Sequence, residues 1–113
     1  FVSYSNQAKM DLLGVSAELL DTHGAVSEPA AMAMVSGAAR RANAEFAVAV
    51  TGIAGPEGGT SDKPVGTVWF AWHRPAAPPV TARHVFEGDR DTVRRQTVTT
   101  ALYGLVEQVE GDR

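Results

Sequence analysis

The stretch Phe46-Ala47-Val48-Ala49-Val50-Thr51-Gly52-Ile53-Ala54-Gly55-Pro56-Glu57-Gly58-Gly59-Thr60 decides how this chain is read. Its first five residues form a short unbroken apolar run, the pattern of a strand buried on both faces in the middle of a sheet. The run leads directly into Thr51 to Lys63, a loop with four glycines and a proline that cannot hold regular structure. A glycine-rich loop after a buried strand sits where α/β folds place their ligands, and its N–H groups can hold a phosphate or an oxyanion. It lacks the Gly-Lys-Ser/Thr ending of a Walker A loop and the Gly-x-Gly-x-x-Gly dinucleotide fingerprint. As a bare pattern it is equally a binding loop or an ordinary flexible turn.

Outward from this centre, Ala30 to Ala42 has helical spacing at Met32, Val35 and Ala39, with Ser27 as its N-cap and Pro29 in the first turn. Shorter helices are expected over Gln7 to Leu13, capped by Ser5 or Asn6 and stopped by Gly14, and over Val15 to Leu20. Phe1 to Tyr4 reads as the tail of a strand. Downstream, Val65 to His73 and Val80 to Phe86 read as strands of a hairpin around the Pro-rich Arg74 to Pro79. Trp69 and Trp72, three apart on a strand, should face opposite sides as packing residues. A last helix begins near Asp89 or Asp91. It carries Val93, Thr97, Ala101, Leu105 and Val109 on one stripe, with Val98, Leu102 and Val106 beside it, a breadth suited to packing on a sheet. The expected fold is a single α/β layered domain over residues 1–113, with a mixed β-sheet flanked by helices.

Composition narrows the function. The chain has 113 residues, is 44% hydrophobic and 20% charged, and carries a net charge of −3 with only 10 Lys and Arg. That balance is globular and argues against a general nucleic-acid binder, which needs a basic footprint. No run approaches a membrane span. There is no cysteine, and His23, His73 and His84 lack metal-ligand spacing, so neither disulfide nor zinc site is expected. The expectation is a soluble, cytoplasmic protein with a small-molecule ligand and no metal or cofactor.

Two further segments could carry chemistry. In Tyr4-Ser5-Asn6-Gln7-Ala8-Lys9 a strand end leads into a helix, and Lys9 lies one turn in, on the same pocket edge as Tyr4. A desolvated lysine has its pKa pushed down and can act as a base, although a lysine on a short helix is more often a solvated surface charge. In Gly88-Asp89-Arg90, followed by Arg94, an arginine at a helix start can make bidentate bonds to a phosphate or carboxylate. On pattern alone the structural reading comes first, with Asp89 a plain N-cap and the arginines a helix coat.

Taken together, Tyr4 to Lys9, Gly24-Ala25-Val26-Ser27-Glu28, Thr51 to Thr60 with Lys63-Pro64-Val65-Gly66-Thr67, and Gly88-Asp89-Arg90 with Arg94 resemble the CinA C-terminal domain family across nearly the whole chain. Its characterised members are nicotinamide-nucleotide amidases. The resemblance implies hydrolysis of nicotinamide mononucleotide to nicotinate mononucleotide and ammonia, a step of pyridine-nucleotide salvage, by a Ser-Lys mechanism without a metal. It implies Lys9 as the base, Tyr4 as its assistant, Thr51 near the oxyanion or the amide, and Arg90 on an anionic part of the substrate. Gly52, Gly55, Gly58, Gly59 and Thr60 would shape the substrate site.

One departure stands out. The family's serine lies in a Glu-Ser-x-Thr-Gly-Gly type segment upstream of the strand tail, and none of Ser3, Ser5 and Ser27 matches it. The chain is therefore expected to be N-terminally truncated, inactive at this length, and to associate with other copies through the surface so exposed. Two other functions compete with the amidase: a non-catalytic nucleotide- or partner-binding domain of a CinA-type protein, and a hydrolase with Thr51 as nucleophile. An internal threonine has no free amine to activate it, which counts against the second.

Overall fold

The computed structural model describes residues 1–111. Three helices come first: α1 (Asn6–Leu13), α2 (Ala17–His23) and α3 (Glu28–Ala42). Each starts at a serine whose side chain accepts a backbone N–H of the first turn: Ser5 from Ala8, Ser16 from Leu19 and Ser27 from Ala30. These bonds satisfy donors that the helix itself leaves orphaned. The strands β1 (Ala47–Gly52), β2 (Thr67–His73) and β3 (Val80–Val85) follow, and the long helix α4 (Arg90–Gly111) closes the order. At its start Thr92 N–H donates to the Asp89 carboxylate at 2.8 Å, holding that carboxyl below its usual pKa.

The layered α/β architecture is as expected. Helix α3 lies on one face of the sheet with α1 and α2 beyond it, and α4 lies on the other. The sheet order is β1-β2-β3, and among the described residues every pairing is antiparallel rather than mixed. The reason is the connections: β1 returns to β2 through the glycine-rich loop, and β2 to β3 through the Pro-rich turn, so no helical crossover joins neighbouring strands.

The two-sided strand is β2, not β1. Trp69 and Ala71 face the α3 side, where Leu13, Val15, Met34, Val35 and Ala49 form one core. Val68, Phe70 and Trp72 face α4 and pack with Val93 and Ala101 in a second core. The two tryptophans thus lie on opposite faces, as their spacing requires. β1 is an edge of this sheet, with Val50 40% exposed. An apolar run signals burial without saying which strand is central.

Phe1 to Tyr4 form no strand. A cleft, not a hydrogen-bond ladder, lies between them and the open edge of β1. On α4 only Val93 and Ala101 are buried, while Val98, Leu102 and Val106 stay more than half exposed. The broad stripe outruns the strip of sheet it covers.

Trp72 pins α4 down. Its indole N–H donates to the Ala101 carbonyl at 3.0 Å, and its ring occupies the space a Cβ on Gly104 would need. Replacing glycine by alanine inside a helix normally gains about 1 kcal/mol. Here overpacking against a fixed ring should outweigh that gain, so Gly104→Ala is expected to destabilise by about 1–2 kcal/mol net. Urea denaturation checks this, and a stabilised Gly104→Ala protein would contradict the packing.

Candidate active site

The glycine-rich loop is the β1–β2 connection, and it is held in place along its length. At its base the ladder continues one step, with Ile53 N–H donating to Thr67 O at 2.9 Å and Gly66 N–H to Ile53 O at 2.7 Å. Farther out, two cations tie it to distant helical regions, one from the loop itself and one from α4. Lys63 Nζ donates to the His23 carbonyl at the end of α2 at 3.1 Å, and Arg90 Nη1 donates to the Gly55 carbonyl at 2.9 Å. Gly55 has φ +91° and a Cβ there would lie 2.5 Å from Val65 Cγ1, so this position has room only for glycine.

Two clefts flank the end of β1. The first, of about 380 Å³, is walled by Phe1 to Tyr4, Lys9, Leu13, Met34 and the strand from Val48 to Gly52. The second, of about 520 Å³, runs along the loop from Ile53 to Gly58 to the first turns of α4, where Arg90, Arg94 and Thr97 line it. Tyr4, Val50 and Gly52 border both, so the clefts meet at one shared wall.

Lys9 lies in the first cleft. It is 6% exposed, its Nζ donates to the Ser3 carbonyl at 2.7 Å, and burial pushes its pKa below the ordinary 10.5. A surface lysine would show neither feature, so the solvated-charge reading of its short helix does not hold. Thr51, 7% exposed, faces the same cleft but donates its hydroxyl to the Ala25 carbonyl at 2.7 Å. That bond commits its proton to the protein and leaves the oxygen's lone pairs for a ligand. Tyr4 is 88% exposed at the mouth.

Of the loop residues expected at the substrate, Gly52, Gly55 and Gly58 line the second cleft together with Arg90. Gly59 and Thr60 border neither. Gly59 is pressed against Val65, and Thr60 closes a turn by accepting from Lys63 N–H at 3.1 Å. Sequence reasoning missed Glu57 and Thr97 in the second cleft and the Ser3 carbonyl on Lys9. Only the position of Glu57 inside the glycine-rich loop could have pointed to one of them. Among the described residues, no helix is long and apolar enough to cross a membrane, and no group of three or more His, Cys, Asp or Glu could hold a metal ion.

Comparison with known proteins gives this geometry a context. A family model described as the CinA C-terminal domain matches residues 1–109. The chain is 52% identical over 108 residues to an Escherichia coli (strain K12) protein named nicotinamide-nucleotide amidohydrolase PncC, covering 96% of this chain and 66% of that protein. It is 54% identical over 102 residues to a CinA-like protein of Syntrophobacter fumaroxidans, covering 90% of this chain and 24% of that one. Among solved structures, the competence/damage inducible protein CihA from Agrobacterium tumefaciens is similar with a TM-score of 0.92 and 46% identity, over 96% of this chain and 66% of that one. The chain thus spans just under two thirds of the PncC relative and about a quarter of the CinA-like one.

Burial of Lys9 has a consequence for stability. Its pKa is lowered in the folded chain, so between that value and 10.5 the unfolded chain binds more protons and stability rises with pH. The unfolding free energy of the natural protein relative to Lys9→Met should therefore climb as pH rises from that lowered value toward 10.5. Denaturation over that range checks it, and a flat difference would show that burial leaves the amine unperturbed.

Proposed function

The chain belongs to the CinA C-terminal domain family, and from that premise we propose that it forms the substrate site of an amidase acting on nicotinamide mononucleotide. The observation that carries this reading is a buried lysine of lowered pKa in a cleft that adjoins, across Gly52, a second cleft lined by arginines. The reactive carboxamide would lie beside Lys9 and Thr51, and the anionic end of the nucleotide beside Arg90.

In this proposal a serine hydroxyl attacks the carboxamide carbon while Lys9 Nζ, as the neutral amine, accepts the hydroxyl proton. The C–N bond breaks as that proton passes to the leaving nitrogen, which departs as ammonia. Water then attacks the acyl-serine, releasing the carboxylate and restoring the hydroxyl. The bond to Ser3 O aims the amine, and burial lowers its pKa, which favours the neutral form that accepts the proton. Thr51, fixed by Ala25 O, borders the position of the amide. The nucleophile belongs to the Glu-Ser-x-Thr-Gly-Gly segment that the resemblance implies and that residues 1–113 do not contain. A second reading has the domain bind a nucleotide or a partner without catalysis, and a single assay separates the two.

Ammonia release from nicotinamide mononucleotide by the protein expressed from its complete gene is the test. Activity should be lost by a factor of about 100 or more in Lys9→Ala, the scale of one general base. It should be lost equally in Lys9→Arg, which keeps the charge but cannot give up its proton. The pH profile of kcat/KM should rise with an apparent pKa below 10.5. No ammonia from the natural protein, with nucleotide binding retained, would establish the non-catalytic reading.

A further inference from the structure

The two arginines of the second cleft are not equivalent. Arg90 and Arg94 stand four residues apart on α4, one turn along the same face, and both border the cleft. Arg90 spends one donor on the Gly55 carbonyl at 2.9 Å, which fixes its guanidinium and ties the loop to the start of α4. Arg94 is exposed and, among the described residues, its guanidinium makes no hydrogen bond to the protein. Thr97, the next polar group along the face, has its hydroxyl committed to Val93 O at 2.7 Å. Glu57 is the one acidic residue lining the cleft, so its lining carries a net positive charge. A fixed guanidinium beside an uncommitted one forms a planar, charge-assisted donor set that suits a doubly charged phosphate better than a single carboxylate.

We propose that Arg94 takes the phosphomonoester of the substrate, and that Arg90 is a positioning residue that holds the loop through Gly55 and completes the pair. This assignment rests on the reading of the site as a nucleotide amidase. It gives the two arginines opposite signatures. Losing Arg94 removes contacts to the phosphate alone, whereas losing Arg90 also frees the loop that shapes the cleft. Arg94→Ala should fold normally, because the side chain is exposed.

The experiment compares nicotinamide mononucleotide with nicotinamide riboside, which lacks the phosphate, in the protein expressed from its complete gene. Arg94→Ala should raise KM for the nucleotide about 10- to 100-fold, the worth of one or two charge-assisted hydrogen bonds, and leave the riboside unchanged. Arg94→Lys should recover part of the loss, and Arg90→Ala should lower kcat for both compounds. An Arg94→Ala effect that is equal on both compounds, or absent from both, overturns the assignment. If neither compound releases ammonia, the amidase reading fails and calorimetric binding of nicotinamide mononucleotide decides the assignment by itself. Binding weakened by Arg94→Ala upholds the phosphate site, and absent or Arg94-independent binding overturns it.

Discussion

Burial of both faces of β2 is the constraint on which the rest of the structure depends. A strand alternates its side chains between two sides, and here one set meets the α1–α3 layer while the other meets α4. Phe70, fully buried, stacks on Trp72 at 5.6 Å, and the edges of Phe86 and His84 close around it. The Trp72 indole then fixes α4 through Ala101 O and the bare flank of Gly104. With α4 anchored over β2, its first turn arrives beside the loop that leaves β1. The Arg90–Gly55 bond can form only because that placement is already fixed.

The candidate site is therefore assembled from positions far apart in the chain. Lys9 comes from α1, Thr51 from the end of β1 and Arg90 from the start of α4, and the clefts between them meet at Gly52. Backbone carbonyls do much of the positioning. Ser3 O orients Lys9, Ala25 O orients Thr51, and Gly55 O orients Arg90. Each carbonyl is a fixed acceptor that costs no side-chain entropy to hold in place, so three mobile polar side chains acquire defined directions. For Lys9 the same packing that aims the amine also strips its water and lowers its pKa.

Local chemistry was legible in the sequence. Serine caps at Ser5 and Ser27, the stop at Gly14, the hairpin around the Pro-rich turn and the opposed faces of Trp69 and Trp72 all follow from interactions within a few residues or from strand periodicity. Resemblance of four motifs identified the family, which the match over residues 1–109 bears out. The motifs also drew attention to Lys9, Thr51, Gly52, Gly55, Gly58 and Arg90, which border the two clefts. They could not separate these from Gly59 and Thr60, because a glycine that packs on Val65 and one that borders a ligand cleft are written with the same letter.

By itself, then, the sequence determined where helices start and stop, which residues are apolar, and which family the chain belongs to. Those depend on short-range hydrogen bonding, periodicity and motif identity. The tertiary structure alone decided that β2 rather than β1 is buried on both faces, that the sheet runs antiparallel, and that α4 leaves Val98, Leu102 and Val106 exposed. It alone also decided that Lys9 is desolvated and that Arg90 is tied while Arg94 is not. Burial and partner choice are set by which surfaces meet, and contacts spanning 26 residues from Ala25 to Thr51, or 35 from Gly55 to Arg90, leave no trace in local pattern.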